Sequence, residues 1–545
     1  MNRRYILFFI VGFFVSFLNW FPMLNVSFMN DDYQIIGNTL PTTFYEIFSP
    51  LWSIHSWGYY WRPLVKVIYN FLLFTFGFNP YPFHFTALTL YALVPGLVAI
   101  LGSKLGLSFK SALISGILFA LLPSHELHSA WLSDMVENLT AIFILLFSIK
   151  LLDYFTSQKT STSNILFILV LFLFALLSKE IAFALLGLPL VKMIFSRKYN
   201  YENLKGNIYL YVSLIFLFLF YLLYRIVIIE SNPFQAVHFQ STSIIGVIKN
   251  FLLYIPISFV SPDLLEIIFY NWNLWTLILI LIIALSFFVM IAKVYYRKLS
   301  SNEIRIVYFS LTWFVLFIVP VLPAFMRWYS FIASIGFTWI IGLFGEKIYT
   351  SINSKKLLTG SASVIVLLLF YYNLQTSFNW VEAGEKMNRI AANIRQNQNS
   401  IDADTIYVWG MPDKYKRVPM MKLGAQQTFE FLSEKKNIEI ISPLRTEIAL
   451  AESQIHLVKD STHRFQLICE GGRFLLEGGR SRNVLINETI DISQEHFQIN
   501  ISNKLDETKY PVAKAYIIVS KNMTKHLHLF YDGSDFRKIK FNTED

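Results

Sequence analysis

The chain has 545 residues, of which 55% are apolar, 17% aromatic and only 15% charged, with a formal net charge of +10 and a single cysteine. Soluble domains carry about 25% charged residues, so this composition excludes an ordinary soluble protein and points to an integral membrane protein. With Cys469 alone, an intramolecular disulfide is excluded too.

The first apolar segment, from about Tyr5 to Phe28, follows Asn2-Arg3-Arg4 and is read as a retained anchor, because it is long enough to span and lacks a small-residue cleavage site. Further runs of spanning or near-spanning length centre on 83–103, 109–123, 139–155, 163–178, 181–195, 207–229, 273–293, 305–322, 329–345 and 357–374, each set against the roughly 20 residues that cross a bilayer. Basic clusters at Arg3-Arg4, Lys104 with Lys110, Lys159, Arg197-Lys198, Lys293 with Arg297-Lys298, and Lys347 with Lys355-Lys356 all fall on one side if about 11 helices span. The amino terminus is then cytoplasmic and the carboxyl terminus outside. Residues 243–262 are placed as an interfacial or re-entrant helix on the outer face, since another crossing would invert every later basic loop.

Residues 29–82 form the first outer loop, whose Trp52, Trp57, Tyr59, Tyr60 and Trp61 suit the headgroup level. From about Thr376 the apolar runs shorten. Residues 376–545 carry 23 basic and 22 acidic side chains, so nearly all of the positive excess lies in the membrane half. The basicity is topology, and nucleic-acid binding is a poor reading. In the tail Val381 to Gln396 reads as a helix, and Thr405 to Trp409, Ile438 to Ile441 and Ala515 to Val519 read as strands. The fold class is therefore mainly α, with a membrane domain at 1–375 and an extracytoplasmic α+β domain at 376–545.

The Asp31-Asp32 pair follows the first anchor, where a carboxylate beside a membrane needs hydration or a partner. It reads either as a solvated cap or as a general base with its neighbour. Arg62, His125, Glu126, Glu137, Lys179, Glu180 and Arg327 fall, under this topology, at outer helix ends or in outer loops. Lys179 and Glu180 read either as a local pair or as a phosphate contact by Lys179. Arg62 and Arg327 read as snorkelling anchors, or as phosphate or ion-pair partners. Arg225, near the outer end of its span, reads first as a snorkelling anchor and second as a phosphate contact. His125 and His128 have a spacing that suits one helical face, but without further ligands a metal is not favoured; His125 reads as a hydrogen-bonding partner of a sugar or an acid.

Four ordered segments resemble the TMTC-type O-mannosyltransferases of the GT-C glycosyltransferase superfamily. The first is Asp31-Asp32-Tyr-Gln-Ile-Ile-Gly-Asn38 with Trp61-Arg62-Pro63-Leu64, where Trp61 stands for the family's tyrosine. The second is Leu118 to His125 with Ala130-Trp131 and Glu137; the third, Leu176-Leu-Ser-Lys179-Glu180; the fourth, Arg327-Trp-Tyr329 with Ser334-Ile-Gly336. Leu122 and Met135 stand where the family has a histidine and an arginine, and the family's tetratricopeptide repeats are missing.

The resemblance implies an inverting transferase of GT-C fold that moves a sugar, with mannose as one reading, from a polyprenyl-phosphate carrier to an acceptor hydroxyl on protein, glycan or lipid. Asp31 or Asp32 would be the base, Lys179 with Arg62 or Arg327 would bind phosphate, and His125, Glu137 and Glu180 would complete the substrate site. No cofactor is required. The expected setting is a bacterial inner membrane. The second reading is a transporter or flippase of lipid-linked glycan intermediates, which more often places ionisable groups near the midplane.

Overall fold

A computed structural model describes residues 3–37, 41–53, 61–156, 162–188, 201–230, 243–260, 299–351, 354–398, 404–449, 453–461, 463–476, 489–494, 496–505 and 511–541. The span expected at 273–293, the end of that at 181–195, the outer-loop aromatics Trp57, Tyr59 and Tyr60, Asn38, and the basic residues Lys159, Arg197, Lys198, Lys293, Arg297 and Lys298 lie outside the described residues.

The chain forms two compact units, Met1–Leu24 with Pro41–Ser377, and Asn25–Leu40 with Phe378–Asp545. In the first unit, seven helices among the described residues are long and apolar enough to cross a membrane: Arg3–Asn25, Pro80–Leu105, Leu132–Thr156, Ile208–Ile228, Ser301–Val321, Arg327–Ser351 and Lys355–Gln396, the last continuing past Ser377 into the second unit. They coincide with seven of the eleven expected spans. Pro63–Phe76, Phe109–Leu121, Thr162–Ser178 and Ile244–Ile257 are shorter apolar helices. The 14 residues of Ile244–Ile257 rise about 21 Å, less than the roughly 30 Å hydrocarbon core. This helix is tied to the connection after Val321 by Asn250 Nδ2 donating to the Leu322 carbonyl at 2.8 Å and the Tyr254 hydroxyl donating to the Ala324 carbonyl at 2.9 Å.

The sequence writes the helix ends locally. Asn79 accepts from Tyr81 N ahead of Pro80, a residue suited to the first helical position because its missing N–H would be unpaired there anyway. That helix stops at Gly106, whose φ of 109° ends the hydrogen-bond ladder. Ser300 and Glu303 form a reciprocal capping box at the start of Ser301–Ile318. Inside the bundle, small residues let backbones approach: a Cβ on Gly12 would stand 2.9 Å from Gly96 N. Asn373 Nδ2 donates to Asn19 Oδ1 at 3.2 Å and to the Leu121 carbonyl at 3.0 Å, a polar tie among apolar helices.

The second unit holds two sheets. One has the order β11-β10-β1-β3-β6: β1 (Thr405–Tyr415) runs parallel to both β10 (Leu527–Tyr531) and β3 (Glu439–Ile448), and β2 (Val418–Pro419), β6 (Gly472–Leu476) and β11 (Phe536–Lys538) add antiparallel. The other, β4-β5-β9-β8-β7, is antiparallel throughout and comprises Gln454–Lys459, Arg464–Glu470, Pro511–Val519, Phe497–Leu505 and Thr489–Ser493 in that spatial order. The sheets pack through Trp409, whose ring lies 5.6 Å from that of Phe465 and 5.8 Å from that of Phe497. The end of helix Lys355–Gln396 contributes the buried stripe Trp380, Ala383, Met387, Ile390 and Ile394, the three- and four-residue spacing of an amphipathic helix.

Asn25–Leu40, the end of the first apolar segment and the start of the first outer loop, belongs to this second unit rather than to the membrane unit. Its backbone is bonded there: Asn30 N donates to the Met420 carbonyl, and Leu423 N donates to Asn30 Oδ1 at 2.8 Å.

Candidate active site

Within the membrane unit, charged side chains from five separate segments meet in one cluster. Arg62 stands at the entry to helix Pro63–Phe76, and its Nε and Nη2 each donate to Glu180 Oε2 at 3.3 Å. Arg225, in the wide turn Tyr224–Ile228 that ends the Tyr201–Leu223 helix, brings Nη2 to 2.9 Å from Glu180 Oε1. Lys179, at the break after helix Thr162–Ser178, is ion-paired with Glu137 in the first turn of Met135–Thr156, and its Nζ lies 4.5 Å from the centre of the Tyr329 ring. Arg327 Nη1 donates to Glu126 Oε1 at 2.9 Å.

The cluster is electrostatically coupled. Burial alone would raise the Glu180 carboxyl, but the Arg62 and Arg225 guanidiniums outweigh it and hold the group down at about 2. Burial draws the Lys179 ammonium below its usual value, the Glu137 carboxylate opposes this, and the charge of Arg62 adds to it. His128 is pushed down by burial and then by His125, Lys179 and Arg327. Its Nδ1 lies 3.4 Å from Asp134 Oδ2.

Six site residues read from the sequence, Arg62, His125, Glu137, Lys179, Glu180 and Arg327, thus lie in this unit. Lys179 and Glu180 are neighbours in sequence, but their ion pairs run to Glu137 and to the two arginines. His125 is fully buried, with Nδ1 3.0 Å from the Phe119 carbonyl, Nε2 3.2 Å from Ser334 Oγ and the Tyr91 hydroxyl 3.3 Å from Nδ1. Trp61, in the tyrosine position of its motif, is buried, donates Nε1 to the Pro50 carbonyl at 2.9 Å and stacks on Tyr221 at 5.8 Å.

Arg225 corrects a sequence reading. It does not snorkel to the surface: the residue is 1% exposed and held by Glu180 and by Tyr221, whose hydroxyl is 3.3 Å from Nη1. Its signal was present in the sequence, since a guanidinium in an apolar run is a functional candidate by default. Glu126 and Asp134 also join the cluster; their roles depend on contacts with distant segments.

Asp31 and Asp32 lie in the second unit. Asp32 opens the short helix Asp32–Gly37, is 1% exposed, and accepts Met29 N on Oδ2 at 2.9 Å, while Oδ1 has no hydrogen-bond partner among the described residues. Burial, then the adjacent Asp31 charge, raises its carboxyl well above the usual range. Asp31 is partly exposed and accepts Asn30 Nδ2 on Oδ1 at 3.3 Å.

Among the described residues no group of three or more His, Cys, Asp or Glu side chains is arranged to hold a metal ion. No protein-family model matches the chain, and no curated protein matches its sequence. Among solved structures it is similar to ArnT from Cupriavidus metallidurans bound to undecaprenyl phosphate, with 11% identity, coverage of 81% of this chain and 86% of that one, and a TM-score of 0.44.

Proposed function

We propose that the chain is a membrane glycosyltransferase that moves a sugar, with mannose the first to test, from a polyprenyl-phosphate carrier to an acceptor hydroxyl on the outer face of a bacterial inner membrane. The observation that supports this most is the gathering of Arg62, Lys179, Arg225 and Arg327 in one unit, each aligned by a carboxylate. Guanidinium forks and an ammonium held in place suit phosphate oxygens, which can exchange for carboxylate oxygens with the same geometry. The apolar helices around them suit a lipid tail.

In the reaction, the acceptor hydroxyl oxygen attacks the anomeric carbon, the bond from that carbon to the phosphate oxygen breaks, and the phosphate leaves with the electron pair. The hydroxyl proton passes to an aspartate. We assign that role to Asp31, because it is partly exposed and can meet an acceptor hydroxyl, whereas Asp32 is 1% exposed and its Oδ2 is occupied by Met29 N. Lys179, Arg62, Arg225 and Arg327 stabilise the departing phosphate, and His125, Glu137 and Glu180 keep the site in shape.

The test is transfer from a radiolabelled polyprenyl-phosphate sugar by the purified full-length protein in lipid nanodiscs, compared with Asp31→Asn. Turnover by the unaltered protein and its loss in the variant support the reading. Full turnover in both Asp31→Asn and Asp32→Asn would remove the aspartates from the mechanism, and absence of turnover with every polyprenyl-phosphate sugar tried would remove the function.

A further inference from the structure

The second unit does more than follow the membrane unit in sequence: it grips the backbone on which the proposed base sits. Asn30, the residue before Asp31, is held with φ of +54°. This left-handed conformation is one that asparagine tolerates better than most side chains. Both ends of Asn30 are bonded to one loop, its N–H to the Met420 carbonyl and its Oδ1 by Leu423 N at 2.8 Å. The next residue of that loop, Gly424, has φ of +67°, and a Cβ there would stand 2.9 Å from the Asn30 carbonyl oxygen and 3.0 Å from Asp31 Cα.

The grip continues on both sides. Tyr33 lies 5.7 Å from Phe431 of the helix that follows Gly424. On the other side Ser27 N packs on Gly384, where a Cβ would approach it to 2.7 Å. These anchoring contacts, all between Ser27 and Tyr33, exceed what a linker needs, and they bracket Asp31 from both directions.

We infer that the 420–424 loop, through Asn30 and Gly424, is a positioning element for Asp31. The inference rests on reading Asp31 as the base, and it assigns to residues 378–545 a part in catalysis: they fix the backbone that aims the carboxylate. Neither Asn30 nor Gly424 need touch substrate, so both are positioning residues.

The experiment compares the unaltered full-length protein with Asn30→Gly and Gly424→Ala, using the same polyprenyl-phosphate sugar donor, with kcat normalised to the protein that binds donor. Asn30→Gly keeps the left-handed backbone and removes the side chain that ties Asp31 to the loop, both the Oδ1 acceptor of Leu423 N and the Nδ2 donor to Asp31 Oδ1; Gly424→Ala forces the two backbones apart. A displacement near 1 Å can lower rate on the order of a hundredfold. The expected result is a fall in kcat of about tenfold or more in each, with donor KM unchanged within about twofold. The double variant should be no slower than the slower single one, since both act on one aim.

Normal kcat in Asn30→Gly and Gly424→Ala, alongside an inactive Asp31→Asn, would overturn the inference while leaving the base in place. Should Gly424→Ala fail to fold, Asn30→Gly decides alone. An active Asp31→Asn would instead refute the underlying reading. A fall in donor affinity with normal kcat would also overturn the inference.

Discussion

Arg225 Nη2 lies 2.9 Å from Glu180 Oε1, joining a guanidinium buried at the end of one apolar helix to a carboxylate at the break after another. The same Glu180 takes Arg62 on its second oxygen, so one acid organises two arginines that are 163 residues apart in the chain. A carboxylate so placed offsets the mutual repulsion of the two guanidiniums, and in the proposed reaction it would keep the forks ready for a phosphate.

Removal of Arg225 should therefore be felt first in stability. Breaking a buried ion pair by deleting one partner costs on the order of 3 kcal/mol or more, although Glu180 keeps its second partner, Arg62, and its side chain is 25% exposed. Arg225→Met is expected to lower the melting temperature of the solubilised protein by several degrees, more than Arg62→Met, because Arg62 is the more exposed of the two. Differential scanning fluorimetry of the three proteins in one detergent checks this; an equal or reversed order contradicts it.

Lys179 separates a ligand role from a packing role. Lys179→Met strands Glu137 and destabilises the protein, whereas Lys179→Met combined with Glu137→Met replaces the buried pair by apolar groups, a change that is often close to neutral. The double variant is expected to recover stability but to bind donor about thirtyfold more weakly, since a charge-assisted contact contributes about 2 kcal/mol. Donor titration beside thermal unfolding tests this, and normal donor affinity in the double variant would exclude Lys179 from phosphate binding.

Asp32 gives a pH dependence with a defined sign. Its folded pKa is raised by burial and by Asp31, so the native state binds its proton more tightly than the unfolded state does. Stability from this group is full below the ordinary carboxylate range and declines as pH rises from there to the raised value. Asp32→Asn, which cannot ionise, is expected to melt higher than the unaltered protein at pH 7 and to show a flatter loss of stability between pH 4 and 7. Identical pH profiles would mean that Asp32 is solvated.

Gly342 tests the packing of the membrane unit away from the charged cluster. A Cβ there would run into the Ser111 carbonyl and the Ser115 hydroxyl of a neighbouring helix, and overpacking of this kind costs about 1–3 kcal/mol. Gly342→Ala should lower the melting temperature, while Gly345→Ala, which meets nothing within 4 Å among the described residues, should not. Equal melting in the two variants would contradict the close helix crossing.

The periodicities that were legible in the sequence are those enforced within one segment. Seven long apolar runs became helices because a spanning segment must satisfy its own backbone, and the strands at Thr405–Tyr415, Glu439–Ile448 and Pro511–Val519 follow from β-branched and aromatic residues. Residues 357–374 and 381–396 read as two elements but form one helix, Lys355–Gln396: the change at Thr376 is one of composition, and the stripe from Trp380 to Ile394 carries the helical period onward.

What depends on two distant segments was not legible. The partners of Glu180 and Glu137 are set by how helices pack, so adjacency made Lys179 and Glu180 look like a pair, and Arg225 looked like an anchor because its acid lies 45 residues earlier. The attachment of Asn25–Leu40 to the second unit depends on bonds from Asn30 to Met420 and Leu423, and no local spacing announces a contact almost four hundred residues away.

The most direct measurement is a single-turnover assay with the purified protein in nanodiscs, a radiolabelled polyprenyl-phosphate sugar and an acceptor, run for the unaltered chain and for Asp31→Asn after donor binding has been verified in each. The account predicts that both proteins bind the donor and that only the unaltered one releases polyprenyl phosphate and glycosylates the acceptor. Equal release by Asp31→Asn, or a donor that neither protein binds, would contradict it.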